Sequence, residues 1–519
     1  MIILTAFFVN AGHLLNVILE EPSLALGTHP VIERCSKHEG RFFQNDIDKK
    51  CLSKPSPAIK TPFTLKLKSI MTDTLNIIQP DPATSRREVK ETEIGSVFVS
   101  NYPPYSFWRA EEVHAAFEAL HSSPRRHTPL GLYLHIPFCR KRCKFCYFRV
   151  YTDKNSKDIQ AYLDALAQEV ELYSALPAAQ DRPLQFVYFG GGTPSYISAT
   201  HLEAVAKRLQ AAIPWTHAEE ITFECEPGTL SEPKLEAIRE IGVTRLSLGI
   251  ENFSDYILEE NGRAHLSEEI YRSLPWIRAL QFDQLNIDLI AGMVGETWEN
   301  WRDSVQRTID IDPDSVTIYQ MELPFNTVYS QDYLHGNNGL HFADWELKRD
   351  WQAYAFEQLA AAGYEISSAY TMVKKSKHSQ FVYRNSVWQG CDMLGAGVAS
   401  FSHMSGVHFQ NAASWNDYLA RLGQRQLPIT RAFVTNERER LTREMILQLK
   451  LGTMNTNYFK QKFNANIIAE FGEVFSALKQ QGMLDYNQRE VRLTEKGLLR
   501  VDLLLHQFYE PKYRNARYT

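Results

Sequence analysis

The sequence has few cysteines, no long apolar run and no excess of positive charge. Only 7 of its 519 residues are cysteine, and Cys35, Cys51, Cys225 and Cys391 are scattered, which excludes a disulfide framework and suits a reducing compartment. No stretch reaches the about 18 uninterrupted apolar residues that a membrane span needs. The formal net charge of −5 excludes a general nucleic-acid binder. We therefore expect a soluble, cytoplasmic protein with no membrane span and no nucleic-acid partner.

The first 70 residues lack the periodicity of the later chain. They begin with MIILTAFFVN, an apolar run without a basic n-region and too short to cross a bilayer. Met71 then opens a polar leader. We interpret residues 1–70 as an uncertain extension, explained by a miscalled upstream start or by a targeting segment. Residues 71–129 are interpreted as a leader with a helical segment.

From Leu130 onwards, short β-rich runs alternate with amphipathic segments such as residues 157–173, where apolar side chains recur at helical spacing. Nearly continuous apolar runs are typical of parallel strands buried on both faces. The alternation predicts βαβ units and an α/β fold: a partial or full TIM-like (β/α) barrel over 130–428, with a doubly wound open sheet as the alternative. Strands are predicted over 130–137, 184–190, 219–227, 244–251, 284–293 and 315–322.

The pattern changes after Pro428. Residues 441–452 and 468–484 are predicted to form helices, and residues 491–508 a short strand followed by a helix. This pattern predicts a small C-terminal helical domain over 429–519 with a winged-helix-like arrangement.

Three cysteines lie within the run HIPFCRKRCKFCYF: Cys139, Cys143 and Cys146. Thiolates select Fe–S clusters, Zn²⁺ or Cu(I), and both a structural zinc site and a cubane cluster normally take four protein ligands. Three thiols therefore leave one metal position without a thiolate. The alternatives are a zinc site completed by His135 or a distant residue, a chance clustering of cysteines without a metal, and a cluster that keeps one iron open.

The spacing CxxxCxxC after YLHIPFC resembles that of radical S-adenosylmethionine (SAM) enzymes. From about Leu130 to Tyr509 the chain resembles the oxygen-independent coproporphyrinogen III oxidase family, which includes haem chaperones and related methyltransferases. The resemblance implies that the three cysteines bind a [4Fe–4S] cluster whose fourth iron is chelated by SAM. One electron from the cluster would then cleave SAM to methionine and a 5′-deoxyadenosyl radical.

Further runs match this family in order. In YFGGGTPS, the resemblance implies that Gly190, Gly191, Gly192 and Thr193 contact the methionine part of SAM, and glycines without a Cβ allow such a backbone approach. Glu224, at the end of the strand in FECEPGTL, is expected to bind ribose hydroxyls or an ammonium group.

The run LSLGIENFSDYILEENGRAH carries Glu251 where the family has Gln, whereas Arg263 and His265 match. A guanidinium pairs with carboxylates in a bidentate manner, so Arg263 is the expected partner of the SAM carboxylate. Asp288 in NIDLIAGM matches a ligand-side Asp of the family.

Tyr133 and Phe145 are aromatic neighbours of the cysteines, and the resemblance places such residues against the sulfonium and the adenine of SAM. We expect Tyr133, Glu224 and Arg263 to act in catalysis. Basic residues surround the three thiols: Arg140, Lys141, Arg142 and Lys144. Their positive charge could stabilise the thiolates and attract an acidic electron donor of the flavodoxin or ferredoxin type. The alternative is that they belong to a solvated loop.

Two positions separate the branches of the family. Phe148 stands where the oxidases carry a further Cys and the chaperones carry Phe. In YRNSVWQG, Arg384 and Val387 replace the His and Tyr of the His-Asn-x-x-Tyr-Trp haem signature. Arg cannot ligate iron as a neutral imidazole does, so haem would need another ligand, such as His403, or a contact from Arg384 to a propionate.

The resemblance predicts an oxidoreductase of the coproporphyrinogen-oxidase type, acting on a tetrapyrrole in porphyrin and haem metabolism. A haem chaperone, with haem or porphyrin as its ligand, is the first alternative. The second is a radical SAM C-methyltransferase or cyclopropane-forming enzyme that uses two SAM molecules on another substrate.

Overall fold

The computed structural model describes residues 98–335, 341–377, 379–514 and 516. The predicted extension over 1–70, the leader as far as residue 97, and both Cys35 and Cys51 lie outside the described residues. In the described chain, no helix is both long and apolar enough to cross a lipid bilayer.

The strands and helices of the described residues follow one another along most of the chain. The strands are β1 Leu130–Ile136, β2 Leu184–Gly191, β3 Glu220–Cys225, β4 Arg245–Glu251, β5 Gln284–Ala291, β6 Ser315–Gln320, β7 Tyr364–Ile366, β8 Thr371–Lys374, β9 Asp392–Ala396, β10 Phe401–Met404, β11 Val407–Asn411, β12 Ile429–Val434, β13 Thr453–Asn455, β14 Leu484–Tyr486 and β15 Glu490–Leu493. The α-helices are α1 Val113–His121, α2 Ser156–Ser174, α3 Ala199–Ala212, α4 Glu232–Glu240, α5 Asp255–Glu260, α6 Ser267–Ala279, α7 Trp298–Ile311, α8 Val328–Leu334, α9 Trp345–Ala361, α10 Val382–Trp388, α11 Trp415–Gly423, α12 Glu437–Leu449, α13 Thr456–Phe463, α14 Ile467–Glu470, α15 Gly472–Gln480, α16 Glu495–Leu498 and α17 Val501–Leu505.

One large sheet organises the molecule, in the order β12-β11-β10-β9-β1-β2-β3-β4-β5-β6-β8-β7. Strands β1 to β6 correspond to the six predicted strands and pair in parallel in their chain order. A doubly wound sheet requires a reversal of strand order, which β1 to β6 do not show. Since β12 and β7 stand at opposite ends of the order, the predicted TIM-like barrel is confirmed in its partial form.

Helix α2 shows why the predicted alternation holds. Asn155 caps its first turn by accepting hydrogen bonds from the N–H groups of Lys157 and Asp158, and the Asp158 carboxylate accepts from Asn155 N. This capping box fixes the start of the helix. The predicted apolar face, which includes Leu166 and Val170, is buried.

The chain after Pro428 divides between two structures. Residues Ile429–Val434, which open the predicted C-terminal domain, form β12 and pair with β11 in the large sheet. From α12 onwards the chain is mostly helical, with β13, β15 and β14 forming a separate antiparallel sheet. The winged-helix-like arrangement stays a prediction.

A buried imidazole pair joins β10 to β11. His403 and His408 face each other in the register, with their Nδ1 atoms 2.8 Å apart. His408 Nε2 lies 3.3 Å from the carbonyl oxygen of Tyr102 and must therefore carry the proton, so His408 Nδ1 accepts from His403 Nδ1–H. Burial lowers the pKa of both rings well below the usual range, and the positive charge of Arg443 adds to this effect. Both rings are neutral in the folded protein.

We expect this pair to make stability fall as the pH is lowered from about 7 to 5. The unfolded imidazoles take up protons near their ordinary pKa of about 6.5, whereas the folded ones do not, so each ring costs about 1.4 kcal/mol per pH unit below that value. His408→Gln removes one titrating ring and should give a shallower slope of unfolding free energy against pH in urea titrations. The control, His114→Gln on the exposed side of α1, should keep the wild-type slope. Equal slopes for His408→Gln and wild type would contradict the assignment.

Candidate active site

The carboxyl ends of β1 to β5 meet at one side of the partial barrel. The parallel register sets His135 opposite Gly190, Glu224 opposite Ser247, and Gly249 opposite Asp288. The loops that follow these strands surround a cavity of about 210 Å³, far more than the roughly 10–15 Å³ that a single water needs. Its lining includes Cys139, Cys143, Cys146, Phe145, Gly191, Gly192, Thr193, Glu224, Glu251, Arg263 and Asp288.

Two predicted site residues do not belong to this lining, Tyr133 and Gly190. Tyr133 is only 1% exposed and stacks on the ring of Tyr188 at a centroid distance of 5.8 Å. It lies three residues before the end of β1, and a strand rises about 3.3 Å per residue. The main chain of Tyr133 is therefore about 10 Å from the end of β1, but its hydroxyl lies 3.4 Å from His135 Nδ1. Its expected contact with SAM stays a prediction.

The cysteine loop is held by main-chain hydrogen bonds at both ends. Cys139 N donates to Tyr151 O at 3.1 Å, and Lys144 N donates to Asn261 O at 3.0 Å. Within the loop, Cys146 N donates to Cys143 O at 3.1 Å. These bonds order the loop from the backbone, independently of any ligand on the thiols.

Polar donors reach two of the three thiols from outside the loop. Thr193 Oγ1 lies 3.3 Å from Cys139 Sγ, and Arg263 Nη1 lies 3.5 Å from Cys143 Sγ. Burial and the neighbouring thiols raise the pKa of Cys139, and likewise raise that of Cys146 to about 12. The thiols of Cys139 and Cys146 therefore hold their protons at neutral pH, and metal binding must release them.

A zinc ion and an iron–sulfur cluster require different arrangements of the three thiols. Among the described residues, no three Cys, His, Asp or Glu side chains converge as ligands of one metal ion. A zinc site requires such convergence, because Zn–S bonds are about 2.3 Å long. A cluster takes its thiolates on different irons, and the three thiols that line this one cavity can supply three such ligands.

The glycine run is required by the protein's own packing. Gly191 has φ of +118°, and a Cβ there would lie 2.5 Å from the His135 ring. A Cβ on Gly192 would lie 2.9 Å from Phe138 O, while Gly192 N donates to Ile136 O at 2.8 Å. These glycines let the loop press against the end of β1, next to the first cysteine. Their contact with SAM stays a prediction.

Two carboxylates border the cavity, Glu224 on β3 and Asp288 on β5, with β4 between their strands. Glu224 accepts from Tyr188 OH at 2.7 Å and from Gly191 N at 3.2 Å. Burial raises the pKa of Glu224 despite these bonds. Asp288 accepts from Ser247 Oγ at 2.8 Å. Both side chains are therefore fixed in orientation before a ligand arrives.

Glu251 and Arg263 form an ion pair in which the hydrogen-bonding capacity of the guanidinium is only partly used. Glu251 has φ of +66°, a left-handed conformation that non-glycine residues adopt at a cost and mostly at functional sites. Its Oε1 lies 3.7 Å from Arg263 Nη1, and burial raises the pKa of Glu251 to about 7 against the opposing effect of Arg263. Arg263 Nη2 donates to Gly249 O at 2.7 Å, but the buried Nε has no hydrogen-bond partner among the described residues. This donor fits the expected carboxylate of SAM.

Glu226 was missed in the sequence, although it lies two residues after Glu224 in the same run. Arg140 donates to it twice, at 2.9 and 3.2 Å, and His265 Nδ1 lies 3.1 Å away. Burial alone would raise the pKa of Glu226, but His265 and Arg140 outweigh burial and lower it to about 2. Arg140, directly after Cys139, thus ties the cysteine loop to the end of β3.

The same cavity is also bordered by residues that, apart from Phe148, the sequence motifs did not indicate, and we call this part of it the chamber. Its walls are mainly aromatic and aliphatic, with four charged side chains among them. The chamber residues are Phe98, Tyr147, Phe148, Ile290, Met321, Glu322, Trp345, Arg349, Tyr370, Leu498, Leu499, Arg500, Asp502 and Leu503.

Comparisons with known proteins agree with this geometry. The family model described as the radical SAM superfamily matches residues 133–308. A haem chaperone HemW from Synechocystis sp. is 30% identical over 294 residues, which cover 56% of this chain and 70% of that protein. The oxygen-independent coproporphyrinogen III oxidase of the same organism is 26% identical over 417 residues, 77% of this chain and 86% of that protein.

The haem chaperone HemW of Bacillus subtilis is 26% identical over 372 residues, covering 71% of this chain and 96% of that protein. Among solved structures, coproporphyrinogen III oxidase (HemN) from Escherichia coli, a radical SAM enzyme, superposes with a TM-score of 0.69 at 22% identity. The match covers 81% of this chain and 99% of HemN. This likeness confirms the fold.

The packing of the glycine loop predicts the effect of one methyl group. Gly192→Ala should destabilise the protein by about 1–3 kcal/mol, because the new Cβ meets main-chain atoms that cannot yield easily. Gly423→Ala, where a Cβ would meet no atom within 4 Å, is the matched control and should change stability by less than about 1 kcal/mol. Thermal unfolding of both variants measures the difference. A wild-type melting temperature for Gly192→Ala would refute the close approach.

Proposed function

Because the chain belongs to the radical SAM superfamily, in the group of oxygen-independent coproporphyrinogen III oxidases and haem chaperones, we propose that it is an enzyme of the coproporphyrinogen-oxidase type. Its substrate class would be a tetrapyrrole of porphyrin and haem metabolism. The family's cofactors are a [4Fe–4S] cluster and SAM, which together supply, when bound, a 5′-deoxyadenosyl radical that removes a hydrogen atom from a substrate.

The proposal assigns the cavity residues to these groups. Cys139, Cys143 and Cys146 would hold three irons of the cluster. The unpartnered Nε of Arg263 would donate to the carboxylate of SAM. Glu224, held by Tyr188 and Gly191 N, would accept from ribose hydroxyls or from the ammonium group.

The observation that carries the proposal is the continuity of one cavity from the thiols into the chamber. A porphyrinogen combines a large apolar ring system with several carboxylates. The chamber offers aromatic and aliphatic walls for the first, and the guanidinium groups of Arg349 and Arg500 for the second, since guanidinium groups bind carboxylates strongly.

A haem chaperone is the second candidate, supported by the HemW relatives and by Phe148, which lines the chamber. The segment that replaces the haem signature opposes it. Arg384 is 1% exposed, donates to Ser367 Oγ at 2.8 Å, and lies over the ring of Trp388. His403 is paired with His408. Haem would therefore need a different site, for which the chamber is the candidate.

A flavodoxin- or ferredoxin-type protein remains the proposed electron donor. The basic residues of the cysteine loop contribute less free charge than their number suggests, because Arg140 pairs with Glu226 at 2.9 Å and Lys144 with Glu260 at 3.2 Å. Lys141 is exposed. We therefore expect electron transfer to depend only weakly on ionic strength.

Cys143→Ala should reduce SAM cleavage to background, because one iron loses its protein ligand. The measurement is 5′-deoxyadenosine formed by anaerobically reconstituted protein with SAM and a strong reductant. Cys391→Ala is the control: this buried cysteine lies outside the cavity lining and its variant should keep the activity. Full activity in Cys143→Ala would refute the cluster assignment.

Product analysis tests the reaction itself. With SAM, a reductant and coproporphyrinogen III, we expect 5′-deoxyadenosine to increase with substrate while the porphyrinogen loses carboxyl groups. S-adenosylhomocysteine as a further product would instead indicate the methyl-transferring branch. A stable haem complex without substrate-dependent turnover would favour the chaperone.

A further inference from the structure

The hydroxyl of Thr193 is aimed at a single sulfur atom. Thr193 Oγ1 lies 3.3 Å from Cys139 Sγ and makes no other hydrogen bond among the described residues. Thr193 is partly buried and borders the cavity. A hydroxyl has one proton to donate, and a thiolate is an acceptor.

This contact is imposed by the backbone. Thr193 N donates to Phe138 O at 2.8 Å, so Thr193 is bonded to the residue directly before Cys139. On its other side, Cys139 N donates to Tyr151 O at 3.1 Å. Because both partners are anchored through their main chains, binding of metal to Cys139 does not require the hydroxyl to move.

Each thiol has a different donor. Cys143 has the guanidinium of Arg263 at 3.5 Å, and the main-chain N–H of Phe148 bonds the sulfur of Cys146. Arg263 is also assigned to SAM, and a main-chain N–H cannot be removed by ordinary substitution. The hydroxyl of Thr193 is therefore the donor whose effect on the sulfur can be isolated.

We propose that the Thr193 hydroxyl tunes the reduction potential of the cluster through its hydrogen bond to Cys139. In the reduction, one electron passes from the low-potential donor protein to the cluster, no bond is formed or broken, and the hydroxyl keeps its proton. The added negative charge is shared by the thiolates, so a hydrogen-bond donor stabilises the reduced state more than the oxidised state and raises the potential. The inference rests on the cluster but not on a tetrapyrrole substrate.

The test is an anaerobic redox titration of the reconstituted protein without substrate, followed by electron paramagnetic resonance of the reduced cluster. Thr193→Val keeps the shape and removes the hydroxyl. At the midpoint potential of the wild type, we expect the ratio of reduced to oxidised cluster in Thr193→Val to be about threefold to tenfold lower than in the wild type. A tenfold change corresponds to about 59 mV for one electron. Thr193→Ser should restore the wild-type ratio.

Ser195→Ala is the matched control. Its hydroxyl lies in the same loop but contacts Thr229 Oγ1 at 2.6 Å and Glu226 N at 3.0 Å, so its loss should leave the midpoint unchanged. The iron and sulfide contents of every variant are measured, so that only proteins with a full cluster are compared. If Thr193→Val binds too little iron, Thr193→Ala replaces it in the comparison.

Two results would overturn the proposal. One is an unchanged midpoint in a Thr193→Val or Thr193→Ala protein that carries a full cluster. The other is loss of the cluster in both variants while Thr193→Ser retains it, because the hydroxyl would then serve assembly. Either result leaves the proposed function untouched, and failure of coproporphyrinogen as a substrate leaves the redox titration interpretable.

Discussion

The site depends on the close approach of the glycine loop after β2 to the end of β1. Gly192 N and Thr193 N donate to Ile136 O and Phe138 O, both at 2.8 Å, and extend the strand pairing beyond the last residue of β1. This extension fixes where the chain leaves the barrel and therefore where the first thiol stands. A side chain at Gly192 would separate the two loops, and with them the thiol and the hydroxyl beside it.

Buried negative charge is the second constraint on the site. Glu224, Glu226, Glu251 and Asp288 are all less than 10% exposed, and isolated buried carboxylates are costly. The protein compensates Glu226 with Arg140 and His265, and Glu224 with a hydroxyl and an amide. Glu251 is left with a longer contact to Arg263. Its carboxylate is therefore the one whose charge depends most on what enters the cavity.

The sequence predicts most of the framework because local patterns determine it. Six apolar runs predicted β1 to β6, and the helical spacing of apolar residues predicted α2. The three cysteines and Arg263 could also be identified as candidate site residues, because each lies in a contiguous sequence motif. The contact of Tyr133 with SAM stays a prediction, because a one-dimensional motif does not show depth along a strand.

Apart from Phe148, the residues of the chamber could not be predicted from the sequence. Trp345 and Arg349 lie on α9, and Leu498 and Arg500 lie near the end of the chain. These residues meet the barrel only through contacts between distant parts of the sequence, and no local pattern marks them. Glu226 differs, because its alternation with Glu224 places both on the same face of the chain.

The last wall of the chamber has a consequence for synthesis of the protein. Asp502 accepts from Val99 N at 3.0 Å and pairs with the buried Lys450 at 2.8 Å, and Gln320 Nε2 donates to Leu499 O at 3.4 Å. This wall comes from the final part of the chain, whereas the cysteine loop is made much earlier. Chains fold from the N-terminus as they emerge. A nascent chain in which residues 498–503 have not yet docked lacks this wall of the chamber, so iron and sulfide should reach its thiols more freely than in the folded protein.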